Sequence, residues 1–174
     1  MDFSSTFLAK SRYFLGTEYR IKLRAAVESL PADAMWWRAN EMSNSVGNLL
    51  LHLTGNVRQW IVSGVGGAPD ARHRASEFEA RDGGDAATLL AGLNATLDEV
   101  DAVLAKLSPE DLASTRVIQG RDVTIMEAIY HVVEHFSFHL GQIVLVAKMH
   151  APGAVKFYED AGGLAKPIWP SLPR

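Results

Sequence analysis

The stretch that decides the fold is Thr124-Ile-Met-Glu127-Ala-Ile-Tyr-His131-Val-Val-Glu-His135-Phe-Ser-Phe-His139-Leu-Gly-Gln-Ile143-Val-Leu-Val-Ala-Lys-Met-His150. It opens on the Ser/Thr-x-x-Glu form of a capping box, in which the threonine hydroxyl and the glutamate carboxylate occupy the free N–H groups of a helix start. Behind that cap Ile125, Ile129, Val132, Val133, Phe136, Leu140, Ile143, Val144 and Ala147 recur at the three-and-four spacing of one helix face. Phe138, Leu145 and Val146 stand on other sides, so this helix is expected to be the most buried of the fold, with little of its circumference free for water. It runs to about His150, ahead of Pro152.

Upstream, the residues from about Ser5 to Leu30 read as a first helix that stops at Pro31, since the residue before proline is pushed out of the helical region. From about Asn44 a second helix follows, with Val46, Leu49, Leu50, Leu53, Val57, Trp60 and Ile61 on one face. It runs out between Gly64 and Pro69. The glycines Gly64, Gly66 and Gly67 lack both the Gly-Lys-Ser/Thr ending and the preceding strand of a phosphate loop, so the segment is an ordinary loop. After a polar stretch containing Glu77 and Phe78, Asp85 caps a third helix with Leu89, Leu90, Leu93, Leu97, Val100, Leu104 and Leu107 on its face. Ser108-Pro109 closes it and starts a short turn. No strand-period segment of useful length and no repeat is evident. The expected fold class is therefore all-α, an antiparallel four-helix bundle in one domain over 1–174, with an extended or partly helical arm from about Gly153 that carries Pro167, Pro170 and Pro173.

The chain has 174 residues, 48% of them hydrophobic and 21% charged, which is enough to bury a core without a disulfide or a structural metal. A net charge of -3, with Arg12, Arg20, Lys22 and Arg24 interleaved among apolar residues, gives no nucleic-acid footprint. The absence of cysteine removes disulfides, thiolate nucleophiles, thiolate zinc sites and iron–sulfur clusters, leaving His, Asp, Glu and backbone oxygen as ligands. Met-Asp-Phe-Ser-Ser-Thr has neither a basic region nor an apolar run, and no segment reaches the roughly 18 apolar residues of a membrane span, so the expected location is cytoplasmic.

His131, His135 and His139 share one helix at intervals of four, so neighbouring imidazoles lie one turn apart on the same side and a pair of them can close on one ion. The spacing by itself fits a metal pair or a hydrogen-bonded polar row. His131 and His139 are about 12 Å apart along the axis, too far to share an ion, while His135 belongs to both pairs. Helical angles of about 100° per residue put His139 nearest the apolar face and His131 almost opposite it. That favours His135 with His139 as ligands and leaves His131 at the rim. The candidate third ligand is His52, which flanks the apolar face of its own helix by a similar angle. Asn48 and Asn56, one turn either side of His52, and Gln142, three residues after His139, are amides able to orient imidazoles or bound water. Glu134 points away from the His135 and His139 side.

Three segments in order carry a resemblance: Asn44-Ser-Val-Gly-Asn-Leu-Leu-Leu-His52-Leu-Thr-Gly-Asn56, then Arg74-Ala-Ser-Glu-Phe78, then His131-Val-Val-Glu-His135-Phe-Ser-Phe-His139-Leu-Gly-Gln-Ile143. The chain resembles the DinB/YfiT-like superfamily, and in it the small DinB-like proteins of unknown function. The resemblance implies a four-helix bundle with a three-histidine site for nickel, zinc or a similar divalent metal ion, often in a homodimer, and by position the ligands fall on His52, His135 and His139. Leu140 departs from the His-Arg-Gly-Gln run of many relatives, which removes an arginine that would meet an anionic substrate.

Some members are similar to transferases that use a low-molecular-weight thiol, and others resemble metal-dependent isomerases or hydrolases. The expectation is a metal-dependent thiol transferase acting on a small molecule, and a protein without cysteine must borrow such a thiol. The alternatives are a non-catalytic metal- or ligand-binding stress-response module and a metal-dependent hydrolase. A homodimer is expected from the resemblance and from Trp36, Trp37 and Trp169, read as uncovered apolar surface; neither nucleic acid nor membrane is an expected partner.

Overall fold

The computed structural model describes residues 2–169. Asp2 caps α1 (Phe3–Tyr13) by accepting the Ser5 N–H, and the helix continues through a wide π turn, Phe14–Glu18, into α2 (Tyr19–Glu28). α3 (Val46–Val57) starts at a capping box that the sequence reading had not marked, Ser45 with Asn48, and is prolonged by a second π turn, Arg58–Val65. It ends at Gly66 and Gly67, the latter at φ +79°, where a Cβ would be strained. α4 (Arg74–Glu79) is a short helix within the expected polar stretch. Asp85 accepts the Thr88 N–H to open α5 (Ala86–Leu104), and Thr124 with Glu127 forms the expected box at the head of α6 (Ile125–His150).

The α1–α2 column, α3, α5 and α6 make the four-helix bundle, with α2 laid against α6, α3 against α5, and α3 also against α6. Their apolar stripes close one core in which Phe136, Leu50, Leu53, Ile61, Leu93, Leu97, Ile129 and Ile143 are essentially removed from water. Tyr19 stacks on Phe136 at 5.4 Å and fixes α2 to α6 in that core.

Two hairpins depart from the purely helical expectation. β1 (Thr115–Ile118) pairs antiparallel with β2 (Arg121–Thr124) across Gln119 and Gly120, both at positive φ, as a two-residue hairpin turn requires. β3 (Tyr158–Asp160) pairs with β4 (Ala165–Pro167) in what was expected to be an extended or partly helical arm. Strands of four and three residues are too short to show alternation in a sequence. Pro170 and Pro173 of that arm lie outside the described residues.

The tryptophans offer less free surface than expected. Trp169 is buried, its ring 4.4 Å from the Lys22 ammonium, while Trp36 donates to the Gly84 carbonyl and Trp37 meets His150 edge-on. Apolar side chains are uncovered at Phe3, Met42, Val117 and Leu164, and on α6, whose outer face is open to water: Phe138 and Leu145 are each 60% exposed. No helix among the described residues is long and apolar enough to cross a membrane.

Candidate metal centre

α3 and α6 pack side by side, and the face between them carries His52 from one and His135 and His139 from the other. Ring nitrogens of the three lie within 4.8 Å of one another, and His52 Nε2 stands 2.9 Å from His135 Nε2. The i, i+4 pair meets with ring centres 4.5 Å apart, and each ring is 5.0 Å from that of His52. Two nitrogens on one tetrahedral ion at bonds of about 2.0–2.1 Å stand roughly 3.3 Å apart, so a small rotation of the rings admits an ion. A donor set of three imidazoles fits zinc, nickel or a similar divalent ion.

Two of the three rings have their orientation and tautomer set from behind. Glu77 Oε2 lies 2.8 Å from His52 Nδ1, and Gln142 Oε1 lies 2.8 Å from His139 Nδ1. Both oxygens are acceptors, and at His52 the carboxylate stands closer to Nδ1 than the Arg72 Nη2 at 3.1 Å, which itself donates to Glu77. Both Nδ1 atoms therefore carry the proton and both Nε2 lone pairs face the cluster. Glu77 is held in turn by Arg72, whose Nε donates to Oε1 at 2.7 Å and Nη2 to Oε2 at 2.8 Å. The pair is nearly dry, at 5% and 9% side-chain exposure. Arg72 also donates to Gln59, which bonds Asp70, so the loop ahead of α4 is locked to α3.

Burial is the first cause that holds His135 down to about 3, and the neighbouring rings of His139, His52 and His131 push the same way. Burial likewise lowers His139 and His131. Burial works against ionisation of Glu77, but hydrogen bonds from Arg72 and His52 outweigh it and keep the carboxyl below its ordinary range. His135 and His139 are thus held as neutral imidazoles, the form that ligates, with an ionised carboxylate and a guanidinium behind the cluster.

His131 stands outside the cluster, one turn before His135, its ring 4.1 Å from that of Trp60 and its Nε2 3.4 Å from Asn56 Nδ2. Among the described residues, Asn56 Oδ1 and Trp60 Nε1 are buried without a hydrogen-bond partner. Asn48 spends its amide elsewhere: it closes the α3 capping box and donates to the Glu77 and Ala80 carbonyls, so it holds α4 in place. Glu134 is exposed. Neither Arg72 nor the role of Glu77 carries a local sequence signal: Glu77 falls in the Arg74-Ala-Ser-Glu-Phe78 segment that makes up most of α4, and Arg72 precedes it in the loop.

Residues 2–157 match the family described as "Protein of unknown function (DUF1572)". The chain belongs to that family. Among solved structures it is similar to a DinB-like protein from Bacillus subtilis, with a TM-score of 0.64 at 20% identity over 88% of this chain and 97% of the other. It is also similar to a DinB-like protein from Bacillus cereus ATCC 10987, with a TM-score of 0.62 at 16% identity over 80% of this chain and 94% of that one. At such identities these likenesses show the fold, which is DinB-like. No curated protein matches the chain.

Proposed function

We propose that this protein is a metal-dependent transferase that activates a low-molecular-weight thiol for attack on a small electrophile, with zinc or nickel held by His52, His135 and His139. The observation that carries the reading is the pair of inward-facing Nε2 lone pairs, set by Glu77 behind His52 and Gln142 behind His139, with the third imidazole beside them. A satisfied polar row needs no such backing. A divalent ion on three neutral imidazoles keeps its 2+ charge and an open position, and so lowers the pKa of a thiol or water that reaches it.

The surrounding residues favour catalysis over sequestration of an ion. His131, kept neutral by burial and one turn from His135, offers its Nε2 to take a proton from a thiol. The unpaired acceptor Asn56 Oδ1 and donor Trp60 Nε1 lie one turn apart against His131, and buried polar atoms are seldom left without partners except where a ligand or water belongs.

The test is metal analysis of the purified protein followed by a screen of small thiols against a generic electrophile. Stoichiometric metal with thiol-dependent conjugation is the expected result. Stoichiometric metal that stays inert with every thiol would favour a binding module, and ester cleavage without added thiol would favour a hydrolase.

A further inference from the structure

The tip of the β1–β2 hairpin carries a residue that its own turn does not ask for. Gln119 and Gly120 make the turn, and Gln119 holds φ at 52°, in the left-handed region. Two-residue turns of this kind call for Asn-Gly or Asp-Gly, since few other side chains accept a positive φ at the first position. Glutamine has the amide of asparagine on a side chain one methylene longer. A local rule broken in this way points to a use elsewhere in the fold.

The extra length is used on the prolonged end of α3. Gln119 Nε2 donates to Gln59 Oε1 at 2.6 Å, across 60 positions of chain. Gln59 Oε1 also accepts from Arg72 Nη1 at 2.9 Å, and Gln59 Nε2 donates to Asp70 Oδ2 at 2.7 Å. A guanidinium can only donate and an ionised carboxylate only accept, so the Gln59 amide has one orientation and meets Gln119 only through a donor. Arg72 spends Nε and Nη2 on Glu77, which faces His52 Nδ1 at 2.8 Å. An unbroken chain of hydrogen bonds thus runs from the hairpin tip to an imidazole of the candidate metal centre. The hairpin is anchored beside it: Ile118 is buried, and a Cβ at Gly64 would lie 2.5 Å from its Cδ1.

We propose that Gln119 is a positioning residue of the metal centre: by holding Gln59 it fixes the plane of the Arg72 guanidinium and, through Glu77, the orientation of the His52 ring. Groups behind a ligand set its direction, and a ring already held loses less freedom when it takes an ion. Asparagine at 119 would suit the turn and lose the reach. What the chain tunes is metal binding, so the proposal rests on the reading of the three histidines as ligands; the hydrogen bonds themselves do not.

Gln119→Asn keeps the amide and shortens it, and Gln119→Met keeps the length and removes the donor. Zinc affinity, read by competition against a chromogenic chelator, should fall in both by about three- to tenfold, less than the 10- to 100-fold typical of a group directly behind a ligand. The melting temperature of metal-stripped Gln119→Asn should hold or rise, because asparagine suits the turn, whereas loss of a purely structural contact would lower it. In the same metal-free protein the low-field Nδ1 proton of His52, identified by its loss in His52→Ala, should exchange with water faster by a similar factor. Val117→Thr, at a 72% exposed site on the same hairpin, should change none of these.

In a protein that binds zinc, either affinity or proton exchange left unchanged by both Gln119 variants would overturn the proposal. So would loss of affinity in Gln119→Asn that comes only with a lower melting temperature, since Gln119 would then act through folding alone. A wild type that takes up no zinc, with the His52 proton still exchanging faster in both variants, would sink the metal reading and support the positioning chain.

Discussion

Glu77→Gln separates the two jobs of the buried carboxylate. In the wild type Glu77 takes two hydrogen bonds from Arg72 and faces Nδ1 of His52, with the ion pair nearly out of water. Glutamine keeps the shape and removes the charge, leaving the Arg72 guanidinium buried without a counter-ion. Breaking such a pair costs about 3–5 kcal/mol, and the bond that Arg72 keeps to Gln59 argues for about 3. At roughly 2–4 °C per kcal/mol for a domain of this size, the metal-stripped protein should melt about 6–12 °C lower.

Metal affinity should fall as well, by about 10- to 100-fold for a group behind a ligand. Glutamine belongs at the tenfold end, because its carbonyl still accepts from Nδ1, and Glu77→Ala at the hundredfold end. Adding Arg72→Met to Glu77→Gln removes the stranded charge, so the melting temperature should recover while the affinity does not. Scanning calorimetry of chelator-treated protein and zinc competition against a chromogenic chelator give the two numbers. A Glu77→Gln protein within 2 °C and twofold of wild type would refute the carboxylate's role in both. Recovery of affinity in the double variant would show that Glu77 acts through folding alone.

Three further outcomes follow from the same geometry. His52→Ala, His135→Ala and His139→Ala should each abolish stoichiometric metal while His131→Ala retains most of it, read by elemental analysis; loss at His131 with retention at His139 would shift the ligand pair by one turn. The unfolded chain takes up protons below about pH 6.5 while burial holds His135 to about 3, so metal-stripped stability should be full above about 6.5 and drain away toward 3, by about 2 kcal/mol from this ring once its partial exposure is discounted. A urea midpoint unchanged between pH 7 and 4.5 would contradict it. Gly47→Ala should destabilise by about 1–3 kcal/mol despite the better helix former, because the new Cβ would lie 2.7 Å from the Trp36 ring; a thermal melt unchanged or raised would show that the indole can retreat.

The sequence by itself determined what depends on neighbours a few residues away. Thr124 with Glu127 and Asp85 with Thr88 cap helices because their partners are three residues off, and the one-turn spacing of His135 and His139 follows from helix geometry alone. The apolar stripes of four helices required a bundle, since each stripe must be buried against another. Helical angles also pointed to the flank of α6 that meets His52.

Only the tertiary structure decided what lies behind and around that cluster. Glu77 reaches His52 across 25 positions and Arg72 reaches Glu77 through a loop, and on their own an arginine and a glutamate read as solvated surface. Asn48 sits one turn from His52, yet packing sends its amide to the backbone of α4 rather than to an imidazole. The outer face of α6 is apolar enough to read as buried, and it is open because α2 and α3 cover only the opposite side. Periodicity records which residues would leave water; which of them do depends on where the neighbouring helices end up.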